Sequence, residues 1–480
     1  MSEETDVIVI GGGGAGLAAA AEAARLGRKV ILIEKNAALG GTTALAVGSI
    51  MAACSAIQRR AGVQDSPQQH EAEMAELAAR LGIDDNAELR RVFTEHAGET
   101  VDFLESIGVD FLGPLEQPPF RIPRFHIALP GGRAYVHRLA LYCRRQGVSV
   151  RLNHRARRLL RTQARVYGVE TEAGELHARA GIVLASGDFS ANRELRGKLL
   201  TPGTEALQEI NPTATGDGQN MAQNIGARLH LRPDLGPAHL AHARFAPPAA
   251  GSLISRLPPY RALTLAMKLA MRWLPRSILR PMVMSAAMTA LSPERPFFER
   301  GAILVNRNGE RFADELGAPA VEISRQPQAE AFVVFDERVA TLFSAWPNYV
   351  STAPGVAYAY VDDYRRARPD IFHEGADARS LASRIGVAPD RLKATLEQKN
   401  LTAPPYYALG PIRAWLLLTP VGTAVNARLQ VLDSAGLPFA GLYAAGGAGQ
   451  GGFTTTAHGH GLGWAFTSGR LAGRHAALDS

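Results

Sequence analysis

The chain has 480 residues, 46% of them apolar and 20% charged, a balance that excludes a disordered or wholly membrane-embedded protein and asks for more than one packed lobe. No aromatic-rich nucleic-acid motif accompanies its formal charge of +7, so no nucleic acid partner is expected and anionic phosphates or a lipid surface account for the excess. Two cysteines, Cys54 and Cys143, exclude a disulfide scaffold, and without metal-ligand spacing or a CxxCH neither a metal nor a c-type haem is expected.

In chain order, the N-terminus MSEETDVIVI is acidic and passes straight into a strand, so a cytoplasmic protein without a secretory leader is expected. Residues 6–10 form a short β-branched run bounded by glycines, the pattern of a buried parallel strand. Gly11, Gly13 and Gly16 satisfy GxGxxG, residues 17–26 are alanine-rich and helical, and residues 29–33 form a second strand that closes on Glu34. Each part has a physical task in dinucleotide binding. Gly11 permits the tight turn, Gly13 lets the backbone approach a pyrophosphate, and Gly16 lets the helix touch the strand. The helix N-terminus offers N–H groups and positive dipole to the phosphates, and Glu34 accepts hydrogen bonds from the ribose. Gly40-Gly41 then leads through Thr42-Thr43 into small residues as far as Ala53, a backbone lean enough to lie along an extended dinucleotide and reach a flavin.

Further strands are predicted at 148–152, 166–169, 182–185 and 441–446, and a helix after Gly461. Residues 253–292 contain Arg256, Arg261, Lys268, Arg272, Arg276 and Arg280 and no acid. Their short amphipathic pieces, broken by prolines, read either as an interfacial membrane patch or as an apolar hinge and cap core. Residues 377–400 read as a helical pair.

The segments DVIVIGGGGAGLAAA, EKNAALGGTT, LASGDFSANREL, TATGDGQNMAQNIGA, GAILVNRNGERFADE, FVVFD, LQVLDSAGLPFAGLYAAG and HGHGLGWAFTSGRLAG, in this order, carry a family likeness. The chain resembles the flavoprotein group of fumarate reductases, succinate dehydrogenase flavoprotein subunits and 3-ketosteroid dehydrogenases, almost end to end. The resemblance implies an α/β fold: a Rossmann-like FAD-binding domain over 1–235 and 413–480, interrupted by an α+β capping domain over 236–412. Substrate would lie between flavin and cap.

By the same resemblance, Ala156 meets the adenine, Gly446 and Gly447 the ribitol–phosphate region, and Gly461 and Leu462 the flavin pyrimidine. Cofactor contacts extend to Gly14, Ala15, Lys35, Gly41, Val47, Gly48, Ser186, Gly187 and Asp217. Where covalent relatives carry a flavin-linking histidine, this sequence has Thr42-Thr43, so non-covalent FAD is expected.

Departures from the family narrow the chemistry. The fumarate reductases' arginine proton donor after GxRFxxE has no counterpart, because Leu316-Gly317-Ala318-Pro319 follow Glu315 and the next arginine is Arg325. Thr419 and Thr456 stand where that branch has a cationic substrate clamp, which disfavours a dicarboxylate. The ketosteroid branch's cap tyrosine after RFxxE is absent, and its tyrosine before the last glycines is replaced in Thr454-Thr455-Thr456. His458 and His460, in the same loop, are candidates for acid–base work or are loop histidines bonded to flavin or backbone. Tyr406 and Tyr407 are candidates for a phenolate base or an aromatic pair bridging two domains.

The expected function is hydride transfer between flavin N5 and a carbon β to a carbonyl, desaturating a lipophilic cyclic or steroid-like ketone. Its alternatives are an enoate or fumarate-type reductase with an altered acid-binding site, and a non-catalytic FAD-binding protein. The electron partner is left open.

Overall fold

The computed structural model describes residues 3–246, 259–274, 280, 284, 291–353, 357–455 and 457–479. The runs VIVI, VILI and GIVL are buried on both faces and have no polar alternation, so they pair in parallel under helices. Strand β1 (Glu3–Ile10) is flanked by β2 (Val30–Ile33) and by the strand Gly174–Leu184, with Ile10 beside Ile33 and Leu184. Ser149–Arg151 and Pro438–Ala444 extend this sheet in parallel on its two sides. The hairpin Ala156–Arg161 and Val166–Thr171 joins the edge of Gly174–Leu184, and Gln430–Leu432 closes the other edge.

Helix α1 (Gly14–Arg25) and the last helix, His460–Leu478, cross on one face of this sheet. Their approach depends on glycine: a Cβ on Gly469 or Gly473 would fall 2.3 Å from the Ala15 carbonyl oxygen or 2.2 Å from that of Ala19. Glu22, fully buried between them, pairs with Arg25 at 2.7 Å, Arg470 at 3.2 Å and Arg474 at 3.1 Å. The buried carboxylate thus has its counter-charge, as burial demands, and Glu99 takes a second share of Arg470 and Arg474, each at 2.9 Å.

A second sheet with its own apolar core forms the cap. Its spine is Tyr406–Leu416, paired antiparallel with Glu330–Asp336, Phe372–Gly375 and Ala241–Phe245, and parallel with Gln208–Glu209. The expected boundary at 412 therefore falls inside a continuous strand that runs on to Leu416. Gln208–Glu209 likewise joins the cap sheet ahead of the expected boundary at 235. The helical pair appears as Ala378–Ile385 and Pro389–Gln398.

Within 253–292, the described residues include the helix Arg261–Trp273, fastened where Asp110 accepts from Lys268 Nζ at 2.6 Å and from Thr264 Oγ1 at 2.5 Å. Leu265, Leu269 and Trp273, four residues apart, are 55%, 49% and 73% exposed. Most of the remaining patch lies outside the described residues. No helix among the described residues is long and apolar enough to cross a membrane.

Candidate active site

The glycine turn after β1 divides its glycines by task. A Cβ on Gly11 would lie 2.4 Å from the Ala185 oxygen, and on Gly16 only 1.8 Å from the Gly11 oxygen, so both are needed by the fold itself. A Cβ on Gly13 would meet nothing nearer than the Gly40 oxygen at 3.9 Å, and on Gly187 nothing within 4 Å. These two backbones border a groove rather than a packed wall, which is the shape a pyrophosphate needs at a helix N-terminus. Gly13 is the N-cap of α1 without a side-chain cap, and Thr43 Oγ1 accepts from the Gly14 N–H at 3.1 Å.

At one end of the groove, buried Glu34 accepts from Gly12 N at 2.7 Å and Asn36 N at 2.9 Å, one on each carboxylate oxygen. Lone pairs remain on both for a ribose hydroxyl. The backbone bond His154 N to Glu34 O, 2.8 Å, lays Arg155 and Ala156 along the same end. Asp217 ties Lys35 (3.3 Å) to Arg155 (3.0 Å), and Ser186 Oγ accepts from Gly218 N at 3.1 Å.

Toward the other end, Thr42 Oγ1 accepts from Asn211 Nδ2 at 3.0 Å. Leu45 and Val47 are more than half exposed, although the adjoining backbone is pressed against Gly131 and Gly132. An exposed apolar pair on a close-packed support suits the ring system of a flavin. Gly446 N donates to Ser468 Oγ at 2.9 Å and Trp464 Nε1 donates to Gly446 O, which binds the glycine run at 446–447 to the last helix. Gly459, in the left-handed region at φ 92°, starts that helix with no side-chain cap, and among the described residues a Cβ on Gly461 would have only Leu418 and Thr455 nearby, at 3.8 and 3.9 Å. These residues thus offer the uncapped helix starts and the apolar end that FAD requires.

The two candidate histidines part company here. His460 is fully buried among Phe93, Phe120 and His70, with Nε2 of each histidine 3.3 Å from the other. Burial, then the positive Arg124 nearby, pushes its pKa down to about 3, so it is a neutral core residue. Arg124 itself is held by Asp65, with two bonds of 2.7 Å, and by Glu73 at 2.7 Å. His458 is exposed, in the loop that leads into the last helix and within reach of the charge of Arg244 on the cap, and we take this junction of the two lobes as the reaction cleft. Burial first and Arg244 second hold its pKa below the usual imidazole value.

His242 and Arg244, on the cap strand Ala241–Phe245, share that cleft with His458. Burial, Arg244 and His458 bring His242 down to about 4. The loop bearing His458 is pinned upstream: Thr454 N donates to Asp85 at 2.9 Å, and Arg232 Nη1 donates to Thr454 Oγ1 at 2.9 Å. Thr456 lies outside the described residues. Asp188, buried and with its carboxyl pushed up by desolvation, accepts from Thr419 N at 3.1 Å and fixes the strand that leaves the cap.

Tyr406 and Tyr407 are not brought to this cleft. They begin the eleven-residue strand whose far end, Leu416, leads to Leu418 and Gly461, a separation of roughly 30 Å along an extended strand. Tyr407 is buried in the cap core, stacks on Phe335 and donates to Glu337 at 2.6 Å. Burial and that carboxylate push its phenol up to about 12, and burial raises Tyr406 as well, the reverse of what a base needs.

Sequence reasoning missed His242 and Arg244. The alternation Ala-His-Ala-Arg-Phe does place them on one face of a strand, but their nearness to His458, more than two hundred positions later, belongs to tertiary structure.

His70, His126 and His460 are buried with pKa values held low, at about 4 for His126 and about 3 for His460. Unfolded histidines titrate near ~6.5, so their contribution to stability is intact above that pH and declines as pH falls toward the folded values. Each loses on the order of 1.4 kcal/mol per pH unit. Urea unfolding between pH 7.5 and 5 is expected to show a steep loss, made shallower in His126→Gln; a flat profile would contradict the buried neutral state.

Fold and groove together define an FAD-dependent oxidoreductase of Rossmann type, with a cap over its cofactor. The chain belongs to the FAD binding domain family, whose profile matches residues 6–255 and 263–463. Among curated proteins it is 27% identical to a fumarate reductase (cytochrome) of Shewanella frigidimarina over 502 residues, covering 100% of this chain and 78% of that one. It is 26% identical to the 4-oxocyclohexanecarboxylate 2-dehydrogenase of Sinomonas cyclohexanicum over 578 residues, covering 98% and 92%. In fold it is similar to the open conformation of a flavocytochrome c3 fumarate reductase, with TM-score 0.74, 24% identity and 99% and 78% of the two chains covered. A 3-ketosteroid Δ1-dehydrogenase of Sterolibacterium denitrificans has TM-score 0.68 at 19% identity, with both chains fully covered.

Proposed function

We propose that the protein desaturates a lipophilic cyclic or steroid-like ketone at the bond α,β to its carbonyl, with His458 taking the α proton. The observation that carries this reading is the cleft position of His458 beside the uncapped start of the last helix, with its imidazole held neutral. Bound non-covalently, FAD supplies the hydride acceptor at its N5. Free N–H groups in the helix's first turn stabilise negative charge opposite them. Arg244 raises the cost of protonating His458 before substrate arrives, keeping the base ready at neutral pH. In the reverse direction the same groups deliver a proton to an activated double bond. The dehydrogenase relative that acts on an oxocyclohexane ring supports the oxidative direction, and the fumarate reductase supports the reductive one.

Anaerobic titration of the oxidised holoprotein with 4-oxocyclohexanecarboxylate and with a saturated 3-ketosteroid tests this reading. Bleaching of the flavin band by either is the expected result. A band that stays oxidised with both would remove the dehydrogenase reading and direct the assay to reduced flavin and enoates.

The helix Arg261–Trp273 supports a peripheral contact with an anionic membrane surface, from which a lipophilic substrate would enter. Its exposed Leu265 and Leu269 stand in a segment with six cations and no acid. Co-sedimentation with phosphatidylglycerol-containing vesicles is expected, lost on Leu265→Glu with Leu269→Glu and absent with neutral vesicles. A wild-type protein that stays in the supernatant with both would end this idea.

A further inference from the structure

We propose that Arg244 anchors a single carboxylate on the substrate, so that the molecule entering the cleft is a monoacid. The inference deepens the reading above and rests on it only in taking this cleft as the reaction chamber.

Strand alternation puts Ala241, Ala243 and Phe245 on one face of the cap sheet and His242 and Arg244 on the other. The antiparallel register sets His242 beside Trp415 and Arg244 beside Arg413. Arg413 has its counter-ion: Glu330, buried on the next strand, accepts from its Nη2 at 2.9 Å and also holds Arg307. Arg232, at the base of the His458 loop, has Asp234 at 2.7 Å. Arg244 has neither an ion pair nor a side-chain hydrogen bond among the described residues, and burial alone pulls its guanidinium pKa down.

None of the residues outside the described set has an Asp or Glu side chain. A half-buried guanidinium that the chain itself leaves without a carboxylate is costly to keep in a cleft, and an incoming anion removes the cost. The planar fork of arginine fits a carboxylate with two parallel hydrogen bonds.

The number of charges sets the class of ligand. His242 and His458 are held neutral, so Arg244 is the one permanent cation of this three-residue cluster. A monoanion matches it, whereas the second charge of a dicarboxylate would find only ring nitrogens. The two imidazoles are then available for hydrogen bonding and for the proton.

The test uses the FAD-loaded protein and the pair benzoate and benzamide, equal rings that differ in charge. Binding is read from perturbation of the oxidised flavin band. Wild type is expected to bind benzoate at least about tenfold tighter than benzamide, about 1.4 kcal/mol. Arg244→Gln is expected to erase that preference and Arg244→Lys to keep part of it, both with wild-type FAD content. Equal binding of the two probes, no binding of benzoate, or a preference that survives in Arg244→Gln would overturn the proposal. A lowered flavin midpoint potential in Arg244→Gln, with the benzoate preference unchanged, would assign the guanidinium to the cofactor and overturn it too. A turnover arm separates this from the function above. If 4-oxocyclohexanecarboxylate and its carboxamide bleach the flavin with equal kcat/KM, the oxidoreductase reading stands and the anchor falls. If benzoate binds through Arg244 while no ketone bleaches the flavin, the anchor stands and the ketone reading falls.

Discussion

Alanine at Gly16 is expected to leave little folded protein, whereas alanine at Gly13 is expected to fold normally and to lose FAD. The two positions lie three residues apart in one turn, but their surroundings differ. A Cβ on Gly16 would sit 1.8 Å from the Gly11 carbonyl oxygen and 3.3 Å from the Ala185 methyl, so strand and helix would have to separate. Overpacking of that severity costs about 3 kcal/mol or more, a large part of a domain's stability. At Gly13 the φ of −78° suits any residue, and the nearest atom to the added methyl is 3.9 Å away. The methyl would instead stand where the pyrophosphate approaches, and a hundredfold or greater loss of affinity is expected, about 2.7 kcal/mol. Thermal melting of the apoproteins and FAD titration separate the effects. Wild-type FAD affinity in Gly13→Ala would move the phosphates away from this turn.

Glutamine at His458 is expected to slow ketone-driven flavin reduction by about 10²–10⁴, the usual worth of a positioned base, with FAD content unchanged. The sign of the pH dependence follows from protonation. The imidazole accepts a proton only when neutral, so the oxidative rate is full above its pKa and falls about tenfold per unit below it. Because burial and Arg244 hold that pKa down, the wild-type rate is expected to persist below pH 6.5. Removing the positive charge in Arg244→Gln is expected to move the acid limb to higher pH. Glutamine at His460 breaks the buried bond to His70 and is expected to lower the melting temperature without moving that limb. Stopped-flow reduction across pH 5–8 distinguishes the two histidines. A His458→Gln enzyme with the wild-type rate and pH profile would leave the proton to another group.

Much of the FAD lobe was legible because its signals are local. The strand 6–10, the glycine turn, the helix and the second strand ending at Glu34 lie within some thirty residues, and each fixes its neighbour's geometry through backbone sterics. The observed elements differ from those expectations mainly at their ends: β1 begins at Glu3 and α1 at Gly14. The cap boundary was less legible. Tyr406–Leu416 is one strand, and nothing local at residue 412 marks where its cap neighbours end and its descent toward the flavin lobe begins.

The acid–base site divides along the same line. A pair of histidines two residues apart looks equivalent in sequence, and helix geometry alone does not separate them. What separates His458 from His460 is the packing of distant elements. Phe93, Phe120 and His70 enclose one ring, while Arg244 comes from the cap to stand near the other. Tyr406 and Tyr407 offered a phenolate base or a bridging aromatic pair, and only the sheet register shows that they stand at the far end of the strand Tyr406–Leu416. By itself, the sequence determined the dinucleotide turn, because contacts between near neighbours set it, while chain length and the family resemblance implied two lobes and FAD. Only the tertiary structure decided which titratable groups share the cleft, because burial and charge at a side chain depend on segments hundreds of residues away.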